Sequence, residues 1–160
     1  MLSAFQYREL GPARQGGRIL RVLSHPDNDF TFFIVTATGG LWKTENNGTT
    51  FECLFENQGS PAIGDAAVSR SNPEIIWVGT GTPASGRVSL LGDGVYKSTD
   101  GGQTWQHMGL TQTAHIGRIQ IHPDNPDVVY AATSSLCLSR APTAAPWPPA
   151  STCVIFPAKS

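Results

Sequence analysis

Apolar and polar positions in this chain alternate in short bursts and never recur with the spacing of an amphipathic helix. Ile119 and Ile121 alternate with Arg118 and Gln120, a period of two that predicts a strand with one buried face. Three apolar runs, Phe32 to Thr36, Ile75 to Thr80 and Val128 to Thr133, are β-branched and aromatic. Their continuity predicts strands buried on both faces. A turn cluster precedes each run: His25-Pro26-Asp27-Asn28, Ser71-Asn72-Pro73 and His122-Pro123-Asp124-Asn125-Pro126. In these, Pro fixes φ while Asn or Asp bonds nearby backbone.

These pieces form a repeat. Gly17-Arg18-Ile19, Ile63-Gly64-Asp65 and Ile116-Gly117-Arg118-Ile119 open the three units, and Gly17, Gly64 and Gly117 recur at about 50 residues, the length of one propeller blade. The expectation is an all-β fold of β-propeller blades, about two and a half four-stranded antiparallel sheets in an incomplete ring, over residues 1–136.

The second half of each unit is more specific. Ser98-Thr99-Asp100-Gly101-Gly102-Gln103-Thr104-Trp105 fits the pattern Ser-x-Asp-x-Gly-x-Thr-Trp, and Thr44-Glu45-Asn46-Asn47-Gly48-Thr49-Thr50-Phe51 is a degenerate copy. Asp100 is suited to accept backbone N–H bonds across a tight turn. Gly101 and Gly102 permit a positive φ, and Trp105 is expected to bury its ring between sheets. Asn46 can make the same bonds as Asp100, so hydrogen bonding and not charge is the expected requirement. Both loops are expected to be structural.

Composition narrows the functional classes. With 11 basic and 12 acidic residues in 160, no charge imbalance points to nucleic acid or an anionic membrane surface. Abundant glycine (17) and proline (12) suit tight turns between short strands. No apolar run reaches the roughly 20 residues of a membrane span, and Met1 to Leu10 lacks the pattern of a signal peptide. Cys53, Cys137 and Cys153 form no metal-ligand cluster, so neither a metal nor a cofactor is expected.

On these motifs the chain resembles the bacterial Asp-box (BNR-type) repeat proteins, which are similar to the sortilin ligand-binding propeller and to xyloglucan-cleaving glycoside hydrolases. The resemblance runs from Tyr7 to about Leu136. It implies a longer, exported (extracellular or periplasmic) parent, and open blade edges that favour self-association. Residues 137–160, with Pro142, Pro146, Pro148, Pro149 and Pro157, break the pattern. A tail without strand alternation is expected there, either a flexible end or the product of a truncated or frame-shifted reading frame.

The xyloglucanase pattern implies a catalytic base in a Thr-Asp-Val-Gly-Gly segment. Here the matching stretch is Thr36-Ala37-Thr38-Gly39-Gly40, with Ala37 at the carboxylate position. Sialidases need an arginine triad in another context, which Arg18 and Arg118 do not match. No catalytic residue is therefore expected, and the chain reads as a non-catalytic propeller fragment binding a protein, peptide or glycan. A fragment of a xyloglucanase-like glycoside hydrolase lacking its carboxylates is the alternative. Arg18, Asp65, His115 and Arg118 could line the channel; equally, the charged three could pair with one another and His115 could be satisfied by backbone. Asp93 is a further acid near the rim. The insertion from Pro83 to Leu91 is expected as a surface loop suited to recognition.

Overall fold

The computed structural model describes residues 18–82, 90–134 and 152–156. Strands β1 (Ile19–Ser24), β2 (Phe32–Thr36), β3 (Leu41–Thr44) and β4 (Glu52–Cys53) form one antiparallel sheet in chain order. Strands β5 (Ile63–Val68), β6 (Ile76–Thr80), β7 (Val95–Ser98) and β8 (Gln106–Gly109) form a second. Strands β9 (His115–Ile121), β10 (Val129–Ser134) and β11 (Thr152–Phe156) form a third, ordered β11-β10-β9. The fold is all-β, a partial propeller of blade-like sheets in an unclosed ring.

The first strand of each sheet carries a bulge at the same place. Ile19, Ile63 and Ile116 pair with Thr36, Thr80 and Thr133, and Arg21, Asp65 and Arg118 pair with Val35, Gly79 and Ala132. Leu20, Gly64 and Gly117 are the extra residues. A bulge bends the strand and re-aims the side chain after it. At Gly64 the close approach is extreme, since a β-carbon would fall 1.9 Å from the Ile116 carbonyl oxygen. Only glycine lets the second and third sheets meet this closely.

Two cores hold the sheets together. Phe33, Val35, Leu41 and Phe55 of the first sheet meet Ile63, Ala66, Ile76, Val78 and Tyr96 of the second. Trp77 and Val95 of the second meet Ile116, Ile119, Val129 and Ala131 of the third. Among the described residues, only β6 is buried along its whole length. The expectation that β2 and β10 are also buried on both faces is corrected: Tyr130 is exposed, and Phe32 and Ile34 are half-buried. Each outer sheet has a packed neighbour on one side only among the described residues.

Strand β11 is a second departure. Thr152–Phe156 pairs antiparallel with β10, Ala131 opposite Val154, inside the segment expected to lack strands. Its Thr-Cys-Val-Ile-Phe run has high β-propensity, and an open β10 edge supplies the partner that the surrounding prolines obscured. The remainder of 137–160 lies outside the described residues.

The two Ser/Thr-x-Asp/Asn loops share one hydrogen-bond set. In the second sheet the Ser98 hydroxyl donates to Asp100 Oδ1 (2.8 Å) and accepts from Gly102 N (2.8 Å), while Asp100 Oδ1 accepts from Thr104 N (2.9 Å). In the first, Thr44 Oγ1 bonds Asn46 Oδ1 (3.1 Å) and accepts from Gly48 N (2.9 Å), and Asn46 Oδ1 accepts from Thr50 N (2.9 Å). Asn47 takes φ 54°, a left-handed turn that asparagine tolerates. Trp105 reaches across to the first sheet, its indole N–H donating to the Leu54 carbonyl (2.8 Å) and its ring packing edge-on to Phe55 (5.0 Å). Phe51, at the matching position, is 43% exposed and touches Phe32.

Asp100 is held down to a pKa of about 2, first by the Thr104 hydroxyl, then by the Thr104 N–H and the Ser98 hydroxyl. A depressed carboxylate pKa contributes stability that is present above the ordinary value of 3.8 and lost as pH falls towards about 2. Acid unfolding of wild type, Asp100→Asn and Asp100→Ala checks this. Asparagine should melt close to wild type at neutral pH and lose the acid dependence, because Asn46 already makes these bonds. Alanine should melt lower at neutral pH, with the Thr104 N–H and the Ser98 and Thr104 hydroxyls losing their acceptor.

Candidate functional site

The first strands β1, β5 and β9 lie side by side and line a cleft of about 830 Å³, walled by Arg21, Ser24, Ala67, Arg70, Gln120 and Ile121 among others. The bulge register decides which charged residue of each strand enters the shared row. Arg21, Asp65 and Arg118 occupy equivalent positions, so the expected set beginning with Arg18 is corrected to one beginning with Arg21. Arg18 lies just before β1, exposed, and its carbonyl accepts the Ala37 N–H (2.9 Å). Gly17 lies outside the described residues. A sequence signal for Arg21 existed, since it stands four residues before His25 as Arg118 does before His122. The repeated Gly-Arg-Ile tripeptide masked it.

Asp65 is the hub of this row. Its side chain is only 5% exposed. Arg21 Nη1 lies 3.1 and 3.0 Å from its two oxygens, and Oδ2 also accepts the buried Ile119 N–H at 2.9 Å. Arg118 Nε stands at 3.9 Å, an ion pair longer than a hydrogen bond, with its side chain 60% exposed. One carboxylate therefore ties together three sheets. Of the two readings open from the sequence, the mutually paired one describes Asp65 and Arg21, while Arg118 keeps most of its surface in solvent.

Asp93 is similarly engaged. It precedes Gly94 at the start of β7, and the Thr80 hydroxyl, with one proton to share, lies 3.0 Å from Asp93 Oδ1 and 2.7 Å from the Gly94 carbonyl. Tyr96 Oη donates to Asp93 Oδ2 at 2.5 Å. Burial, then the hydrogen bond to Asp93 and its charge, push the Tyr96 phenol up to about 12. His107 Nε2 meets the Asp93 carbonyl (2.8 Å). The first sheet repeats the latch without the acid, Thr36 Oγ1 donating to Gly40 O (2.7 Å) and accepting from Gly39 N (3.0 Å).

His115 is buried at the start of β9, opposite Ser134 and against the backbone of Gly81. Ala37 is buried after β2. The half-buried Cys53 thiol is raised by burial, which disfavours the thiolate a nucleophile needs. No group of three potential metal ligands occurs among the described residues. No helix of the described residues is long and apolar enough to cross a membrane. Of the insertion, residues 83–89 lie outside the described residues; its stem closes where Leu90 N–H meets Thr82 Oγ1 (3.2 Å) and Ser60 Oγ donates to Leu91 O (3.0 Å).

No protein-family model matches this chain, and no curated protein does. Solved structures do. An ancestral GH74 enzyme shares 24% identity at a TM-score of 0.59, covering 75% of this chain and 14% of that one. The GH74 enzyme of Niastella koreensis shares 22% at 0.56, covering 71% and 17%. The GH74 xyloglucanase of Xanthomonas campestris shares 14% at 0.53, covering 79% and 20%. The likeness establishes the fold, that of a GH74-like propeller. The chain spans a fifth or less of each of these proteins.

Two measurements check the site. Asp65→Ala should cost about 3 kcal/mol in chemical denaturation, because it strands a buried N–H and a partly buried guanidinium. Arg118→Ala, mostly solvated, should cost less than about 1 kcal/mol. In an alkaline titration followed by phenolate absorbance, one tyrosine should ionise near 12. A raised phenol pKa adds stability that is complete below the ordinary value of 10.0 and lost as pH rises through about 12. Tyr96→Phe should remove that alkaline loss.

Proposed function

We propose that this chain is a non-catalytic portion of a binding propeller, presenting the cleft between its first strands to a protein, peptide or glycan. The observation that carries the reading is the engagement of both candidate acids. A general acid or base must reach the substrate proton at hydrogen-bond distance with its own oxygen available. Asp65 spends its oxygens on Arg21 and Ile119, and Asp93 spends its own on Thr80 and Tyr96. Ala37, at the position the xyloglucanase pattern gives to a base, has no proton to exchange. Two carboxylates about 5 to 9.5 Å apart across a scissile bond are the usual glycosidase requirement.

The likeness to GH74 enzymes favours one second reading, a piece of a xyloglucanase-like hydrolase that lacks the catalytic carboxylates. An exported parent suits both readings. The loops at 44–51 and 98–105, with their shared bond set, support the Asp-box resemblance.

Incubating the purified chain with xyloglucan and with a fluorogenic sialoside tests the proposal. The expected result is no turnover above a heat-killed control, and none after Ala37→Asp, since each acid–base partner contributes roughly 10²–10⁴-fold and a lone one leaves the other absent. Turnover that disappears on Asp93→Asn overturns the non-catalytic reading. Glycan binding without turnover supports it.

A further inference from the structure

One Asn-Gly pair occurs in the chain, Asn47-Gly48, at the tip of the first of the two hydrogen-bonded loops. Such a pair is chemically labile. The backbone nitrogen of the following residue can attack the side-chain carbonyl carbon, Cγ, and a glycine there has no β-carbon to hinder the approach. The new N–Cγ bond closes a five-membered succinimide. The Cγ–Nδ2 bond breaks, and ammonia leaves with the proton of the attacking N–H. Water then opens the ring at either carbonyl, giving aspartate or isoaspartate, the latter with an extra methylene in its backbone.

The two asparagines of this loop are held very differently. Asn46 gives its whole side chain to the turn: Oδ1 accepts from Thr44 Oγ1 and Thr50 N (3.1 and 2.9 Å), and Nδ2 donates to Thr50 Oγ1 (2.8 Å). Asn47 is exposed, and its side chain makes no hydrogen bond among the described residues. The turn does not require an asparagine there, since Gly101 takes the same left-handed place in the second loop, φ 68° against 54°.

The backbone around Asn47 is nonetheless clamped. Its own N–H donates to the Phe30 carbonyl (2.9 Å), and the Gly48 N–H, the nucleophile, donates to the buried Thr44 hydroxyl (2.9 Å). To reach Cγ, the Gly48 nitrogen must lose its proton and turn away from Thr44, so the loop must open first. The reaction then runs at the open-chain rate multiplied by the fraction of time the loop is open.

We propose that Asn47 is the site of spontaneous deamidation in this protein, with the Thr44 hydroxyl confining the reaction to openings of the loop. The product carries a new negative charge beside the exposed Glu45. Isoaspartate also lengthens the backbone between Thr44 and Gly48, so their bond does not re-form in its present geometry. The loop joins β3 to the two-residue β4, directly before Leu54 and Phe55, which Trp105 of the second sheet contacts. Deamidation therefore loosens the join between the first two sheets as the protein ages. The inference concerns this loop and not the cleft, and it stands apart from the ligand reading.

Peptide mapping by mass spectrometry, with isoaspartate detected by its specific methyltransferase, reads the rate at each asparagine of the whole chain during mildly alkaline incubation. Circular dichroism reports whether each variant is folded. Asn47 should react before every other asparagine, and about tenfold more slowly in the folded chain than in urea, by the strength of the two clamping bonds. Thr44→Val should raise the folded rate about fivefold, whereas Thr44→Ser, which keeps the hydroxyl as Ser98 does in the second loop, should leave it near wild type. Equal rates in the folded chain and in urea, another asparagine reacting first, or Thr44→Val no faster than Thr44→Ser overturns the proposal. If Thr44→Val does not fold, the comparison of folded and urea-unfolded wild type decides by itself.

Discussion

A single buried carboxylate organises the inner strands. Asp65 sits almost out of solvent between β1, β5 and β9, where an unpaired charge would cost several kcal/mol, so its neighbours must satisfy it together. They do so from two directions, the Arg21 guanidinium from the first sheet and the Ile119 N–H from the third. The bulge makes this possible by turning the residue after Ile63 and Gly64 towards the adjoining sheets. Glycine at 64 permits the closeness, because any side chain there would collide with the Ile116 carbonyl.

That constraint shapes function as well as fold. A carboxylate committed to holding three sheets in register offers no free oxygen to a substrate, and Asp93 is committed in the same way to the hairpin that opens β7. Both candidate acids are thus engaged in holding strands and hairpins in place. Under the proposed binding reading a ligand meets the wall of the cleft, with Arg70, Ser24 and Gln120 beside apolar Ala67 and Ile121. Such a surface suits recognition by shape and hydrogen bonding.

Much of this was legible from residues and some was not. The loop hydrogen bonds followed from residue type, since a hydroxyl two positions before a carboxylate or carboxamide closes its turn locally, whatever surrounds it. The Arg21–Asp65 pair was not, because the two residues are 44 apart and meet only once the sheets stack. The repeated Gly-Arg-Ile invited alignment of Arg18 with Arg118, whereas the bulge aligns Arg21. β11 was hidden for a similar reason, its Thr152–Phe156 run being framed by prolines and gaining its role from an open edge of β10.

The sequence by itself determined the all-β class, the blade-length repeat, the turns and the two bonded loops, because those depend on φ preferences, side-chain period and hydrogen bonds over a few residues. Tertiary structure alone decided which charges meet, which face of each sheet is covered, and whether a given acid is free or consumed. Those outcomes rest on register and on stacking between segments far apart in the chain. Isoleucine at 19, 63 and 116 shows the division: one residue type at one place in the repeat, exposed in the first sheet and buried in the other two. What differs is the presence of a neighbouring sheet, which no local pattern encodes.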